Sequence, residues 1–313
     1  MKNVWLGGVV GAVLGCSIVG GYVWLDQKKE YANPTGIHQI KTNDQSDVTK
    51  SSKFLAPEIV DARLNELSFK EVMRLFYKNK MRNIYVEEGQ FETSDVIGLD
   101  HVEATGEDNL AIMHPIINYR NVQGEARFLV IIEKVQIMDD GILVSCHACS
   151  GTADLYTFKK LENGQYQVVS MSRPNQEYGG SYGRVHLNRE EILNNMQPIG
   201  KKLIGTFYQS NYSNMGESTS SWSVIHLPED DFIANYGVAE ASGDNAGNYE
   251  PDSPLYFSFE SKIQLNDNGK KYFPIQVNYT GDQYDNDYTV IEPVRPAVIF
   301  NFNEKTSEYL EQK

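Results

Sequence analysis

The 313-residue sequence predicts an α+β fold, mostly antiparallel β-sheet, preceded by one N-terminal transmembrane helix and a polar linker. Three observations predict it. An uncharged apolar run fills residues 4–25, and helical periodicity with a capping signature follows near residue 70. Beyond that, runs rich in β-branched and aromatic residues alternate with Asp-Gly and Asn-Gly turns. The implied organisation is an anchor over residues 1–27, a linker over 28–53 and a β-rich domain over 54–313, with a sub-boundary near 172–200.

The apolar run has 22 residues, enough to cross a hydrocarbon core of about 30 Å. Trp5 marks one edge and Tyr22 with Trp24 the other, where amphipathic rings favour the interface. A cleaved signal peptide would be shorter and end in a small-residue site, and none precedes Asp26, Lys28 and Lys29. A lipoprotein would use Cys16, yet residues 17–25 stay apolar where a processed lipoprotein turns polar. A retained anchor is the expectation, with Cys16 a small membrane residue. Lys2 on one flank is nearly balanced by Lys28 and Lys29 on the other. The signal-anchor arrangement makes this a single-pass protein of the inner (cytoplasmic) membrane, its large domain in the periplasm of a Gram-negative cell. Gly7, Gly11 and Gly15 have the spacing that lets two helices approach closely, a candidate homodimerisation face, although glycine is common in membrane helices anyway.

The linker shows no apolar period. After it, a helix beginning near Pro57 precedes a better-marked one, where Ser68 and Glu71 form a capping box and Leu67 with Val72 a hydrophobic staple. Residues 127–137 and 141–146 read as buried strands around the Asp139-Asp140-Gly141 turn. Residues 155–160 and 165–171 form a hairpin through Asn163-Gly164, and 255–265 with 271–280 a second through Asn268-Gly269. Between them Asn188 and Glu191 cap a short helix that Pro198 ends, and 223–227 and 232–239 are further strands.

Composition excludes several functions. With 42 Asp plus Glu against 28 Lys plus Arg, the net charge of -14 argues against nucleic acid and against docking on anionic lipid. The acidity is regional: residues 229–292 carry 13 acids and 3 Lys. Within them, Asp244, Asn248, Glu250 and Asp252, and then Asp282, Asp285 and Asp287, supply the oxygens a calcium ion wants. Neither segment has EF-hand spacing, and Asp and Asn equally make turns. Calcium is the one cofactor the sequence suggests; otherwise none is expected.

Cys146-His147-Ala148-Cys149 can be a local disulfide, part of a metal site or a thiol couple. No helix follows to activate a thiol, and an oxidising compartment favours the disulfide. Fourteen of the 19 Tyr follow residue 155, several beside Gly, Asn or Ser. Tyr178, Tyr182, Tyr212 and Trp222 are the candidate contact residues, because Tyr and Trp offer rigid surface at low entropy cost. Nucleophile-elbow, P-loop, zincin and dinucleotide-binding motifs are absent, so no catalytic residue is assigned.

The C-H-x-C loop, the aromatic strand Leu155-Tyr156-Thr157-Phe158, the Asn163-Gly164 hairpin and Gly179-Gly180-Ser181-Tyr182-Gly183 together resemble uncharacterised membrane-anchored bacterial envelope proteins. The resemblance covers about a third of the chain and implies an envelope, periplasmic location; it brings no catalytic residue. The expected function is a membrane-anchored extracytoplasmic binding protein of the envelope, contacting an envelope protein or cell-wall polymer, one form being an inhibitor or immunity-type partner. The alternative is a metal- or thiol-dependent envelope hydrolase.

Overall fold

The structure, a computed structural model, describes residues 54–102, 107–285 and 290–312. The expected anchor, with Gly7, Gly11 and Gly15, and the linker lie outside these. Among the described residues no helix is long and apolar enough to cross a membrane. All of them belong to one unit spanning residues 48–313.

The described chain is β-rich and antiparallel, with three short helices: α1 (Pro57–Val60), α2 (Phe69–Phe76) and α3 (Arg189–Asn194). The first sheet contains β1 (Val96–Val102), β2 (Glu107–Met113), β3 (Ile117–Arg120), β4 (Ala126–Ile137), β5 (Thr152–Lys160), β6 (Tyr166–Met171) and β7 (Gln176–Glu177). Its order is β1-β2-β4-β5-β6, with β3 also on β4 and β7 on β5. The second contains β8 (Met196–Gly200), β9 (Leu203–Asn214), β10 (Glu217–Leu227), β11 (Ala234–Asp244), β12 (Ser258–Leu265), β13 (Ile275–Tyr284), β14 (Ile291–Pro293), β15 (Ala297–Asn303) and β16 (Glu308–Glu311). Its order is β16-β15-β13-β12-β11-β10-β9-β8, with β14 beside β13. The chain passes between the sheets across residues 178–195.

Alternation along the central strands creates the layers. On β4, Val130 and Ile132 face one core with Val72 and Met73 of α2, whereas Leu129 and Ile131 face the opposite way. On β5, Tyr156 and Phe158 join the helix-side core, and Ala153 and Leu155 the other. Ile204 and Tyr208 of β9 and Ile225 of β10 close that second core from the opposing sheet. The first sheet is thus buried on both faces, which is why its strands read as near-continuous apolar runs. The second sheet curls about a further core of Phe207, Val224, Val277 and Tyr309. Backbone bonds from Lys201 N to Lys270 O (2.9 Å) and Phe273 N to Ile199 O (2.8 Å) tie the curl together. A Cβ on Gly200 would overlap the Lys271 carbonyl oxygen, so only glycine fits at that seam.

Several sequence expectations are corrected. Ser68 makes no side-chain capping bond, its hydroxyl is buried without a partner, and Glu71 faces Arg74 instead. Leu67 and Val72 do share one core, so apolar packing sets the entry of α2. Residues 141–146 form no full strand: the turn at Gly141 (φ +81°) returns the chain antiparallel to the end of β4 for a single bridge, Leu143 to Ile137, with Met138 N donating to Ile142 O (2.9 Å) and Val144 N to Gln136 O (2.8 Å), before it leaves for the cysteine loop. The second hairpin is joined by the nine residues 266–274 rather than a tight turn. Pro198 lies in edge strand β8, where a missing N–H is tolerated.

Candidate functional site

The most organised exposed feature grows from the loop after β4. Cys146 and Cys149 are joined as a disulfide, with Cys149 N donating to Cys146 O at 3.0 Å. The Gly-rich segment docks onto this small ring: Tyr182 N donates to Cys146 O (3.0 Å) and Gly183 N to Cys149 O (2.9 Å). Gly183 has φ +77° and lies against the Val144 carbonyl, so a side chain there would be both strained and obstructed.

Next to Gly183, Arg184 reaches inward. Its Nε and Nη2 donate to the two oxygens of Glu133 at 2.8 Å each, Val185 N donates to Oε1 at 2.9 Å, and His114 Nε2 lies 2.8 Å from Oε2. Burial alone would push the Glu133 carboxyl up; the bonds from His114 and Arg184 and the guanidinium charge outweigh it and hold the pKa near 2. Two residues on, His186 joins the segment to β9. Asn211 N donates to its Nδ1 (3.2 Å), and Ser181 Oγ lies 3.3 Å from Nε2. An Nδ1 that accepts leaves the proton of the neutral ring on Nε2, facing Ser181.

On this frame the rings of Tyr182 and Tyr212 stand edge-on to His147, with centroids 5.5 and 5.4 Å away. Both tyrosines are about half exposed, at 53% and 50%. Segments around 147, 182 and 212 thus converge on one aromatic platform. Each ring presents apolar faces and a polar edge, suited to stacking and hydrogen bonding with a partner surface. Of the expected site residues, Cys146, Cys149, Tyr182 and Tyr212 come together here.

The others do not. Tyr178 is wholly buried between the sheets, burial pushing its hydroxyl well above the usual tyrosine range, so it is a core residue and no contact residue. Trp222 is half-buried, its indole N–H donating to Ser261 Oγ at 3.0 Å. Among the described residues no three His, Cys, Asp or Glu side chains are grouped to hold a metal ion. Asp244 Oδ1 accepts from Ala246 N, Asn248 Nδ2 donates to Met215 O, and Asp285 Oδ1 accepts from Val290 N. These three side chains brace turns. Glu250, Asp252 and Asp282 join no such group, and Asp287 lies outside the described residues.

Sequence reasoning missed Glu133 and Arg184 outright; it offers His186 only as a candidate zinc ligand without a partner at suitable spacing, and does not single out His147 as a contact residue. His147 lies inside the C-x-x-C motif, where the two thiols carry the more specific signal. A buried cluster elsewhere has the residue types of a catalytic site. Lys134 Nζ donates to both oxygens of Asp154 (2.8 Å each) and to Asn175 Oδ1 (2.6 Å), and Tyr77 donates to Asp154. All three amine donors are used, and burial with the neighbouring Tyr156 and Asp154 raises the Tyr77 hydroxyl far above ordinary values. The cluster fastens the end of α2 to the sheet.

Comparison with protein-family models, curated proteins and solved structures finds no match. Fold and site together define a two-sheet antiparallel protein that presents a covalently braced aromatic platform.

Proposed function

We propose that the chain is a membrane-anchored extracytoplasmic binding protein of the cell envelope, held in the inner membrane by residues 4–25, and that the His147–Tyr182–Tyr212 platform is its contact surface. One observation carries the reading: three segments far apart in sequence are fixed by a disulfide, an ion pair and a histidine bridge to present two half-exposed tyrosines. Preorganised aromatic anchors lose little entropy on association, which is how a few residues come to dominate binding. The acidic second sheet favours a partner with a basic face, which long-range attraction brings in faster. An envelope protein fits best, and inhibition of an envelope enzyme is one role such a contact serves.

The test places a photo-crosslinking amino acid at Tyr212 in intact cells, with exposed Lys305 as the control position. A discrete adduct at Tyr212, weakened at least about tenfold by Tyr182→Ala, is expected. Equal labelling at both positions, or none, would sink the proposal. Protease added to cells with a permeabilised outer membrane should remove the domain; protection until the inner membrane is opened would reverse the assigned orientation.

A further inference from the structure

The second sheet carries a separate concavity. Its curl leaves a pocket of about 480 Å³ at one end, within the range of small-molecule sites. His226 of β10, Tyr236 of β11 and Tyr272 from the loop before β13 line it, with Phe302 and Tyr309 packed behind. Tyr236 and Tyr272 are half-buried and flank the His226 ring at 4.7 and 5.6 Å between centroids. The histidine is almost wholly buried. Its Nε2 lies 2.9 Å from the Tyr309 hydroxyl, and its other nitrogen bonds no described residue.

The rim selects among ligand classes. Lys201 and Lys202, from the β8–β9 turn, face Asp230 and Asp231, from the β10–β11 loop. Lys271 is engaged by Glu304 at 2.5 Å. Two free-standing lysines against two aspartates leave no net charge, so neither an anion nor a cation is preferred. They do supply donors on one side and acceptors on the other. Aromatic walls, a neutral imidazole and a balanced polar rim are the chemistry that recognises a ring with an apolar face and several hydroxyls.

From this geometry we infer that the mouth of the curled sheet is a binding site for a neutral saccharide unit, distinct from the His147–Tyr182–Tyr212 platform. The sugar ring stacks on Tyr236, with Tyr272, whose ring already lies beneath Lys271 Nζ at 4.9 Å, closing the wall beside it, and its hydroxyls bond His226, Lys202 and Asp230. The inference stands without the platform, since the two surfaces share no residue.

Saturation-transfer NMR on the purified full chain tests it, with glucose, N-acetylglucosamine and their β-1,4-linked disaccharides as probes and benzoate as the charged control. Transfer to at least one sugar is expected, with Kd raised at least about tenfold by Tyr236→Ala and severalfold by the exposed Lys202→Ala. Tyr182→Ala should leave it unchanged. No transfer to any sugar, stronger transfer to benzoate, or indifference to both pocket variants would overturn the assignment. Circular dichroism of the Tyr236 variant excludes simple unfolding, and Lys202→Ala carries the test should that variant not fold.

Discussion

Glu133 shows how one side chain governs the exposed site from beneath. It is buried and answers Arg184, His114 and the Val185 amide together, so Glu133→Gln leaves the guanidinium without its counter-charge. Breaking such a pair costs about 3 kcal/mol, at the lower end of the usual range because Arg184 is partly exposed. Chemical denaturation should show that loss, and the Tyr182 and Gly183 amides should exchange faster with solvent. The pH dependence has a definite sign. The Glu133 pKa is depressed in the folded state, so its stabilisation is complete above the ordinary value of 4.5 and is lost as pH falls toward about 2. Burial depresses His226 to about 3, so folded protein keeps it neutral while unfolded chain takes a proton below 6.5. Its contribution therefore drains away between pH 6.5 and 3. Stability curves for wild type and His226→Phe should converge on acidification through that window; parallel curves would refute the assignment. Burial also lowers His186, and protonation there would expel the Asn211 N–H from Nδ1. Adduct formation at Tyr212 should accordingly weaken once the pH drops below the ordinary histidine range.

At the scale of elements, the disulfide closes a ring of only four residues, so its effect on global stability is small, about 2 kcal/mol by chain-entropy arithmetic. Its effect on the docked segment is larger, because Tyr182 and Gly183 bond to the carbonyls of the two cysteines. The double variant Cys146→Ser/Cys149→Ser should lower the melting temperature by only a few degrees yet abolish most adduct formation. A large melting shift with binding intact would contradict this. The same contrast explains what the sequence disclosed. β4 and β5 were legible because they are apolar, and β6 because an Asn-Gly turn, whose Gly164 takes φ +86°, joins it to β5. β1 and β2, with Asp100, His101, Glu107 and Asp108 among their residues, lacked that signal. The ends of β9 and β10 run past the core into solvent, so residues 211–219 are exposed on both faces and show no alternation. Tyr182, Tyr212 and the cysteine pair were each visible alone. Their meeting was not, because it depends on a docking contact between Glu133 and Arg184, 51 residues apart.

For the molecule as a whole, the decisive feature is the core shared between the sheets. Leu129, Ile131 and Leu155 from one and Ile204, Tyr208 and Ile225 from the other are all nearly inaccessible. Buried Arg127 adds an ionic strap, donating to Glu229 in the β10–β11 loop. Neither sheet can lose its partner without exposing that surface, so calorimetry should record one transition, with calorimetric and van't Hoff enthalpies equal. Two resolved transitions would mean that the sheets melt separately. Beyond the core, the β9–β10 hairpin ends at Met215, which is 87% exposed and three residues from Tyr212. A thioether so placed is open to peroxide, whereas Met73, at 1% exposure, is shielded. Conversion of Met215 to its sulfoxide therefore gives the molecule a built-in footprinting reagent: the rate at which mass spectrometry sees this one oxygen arrive reports whether the platform beside it is covered.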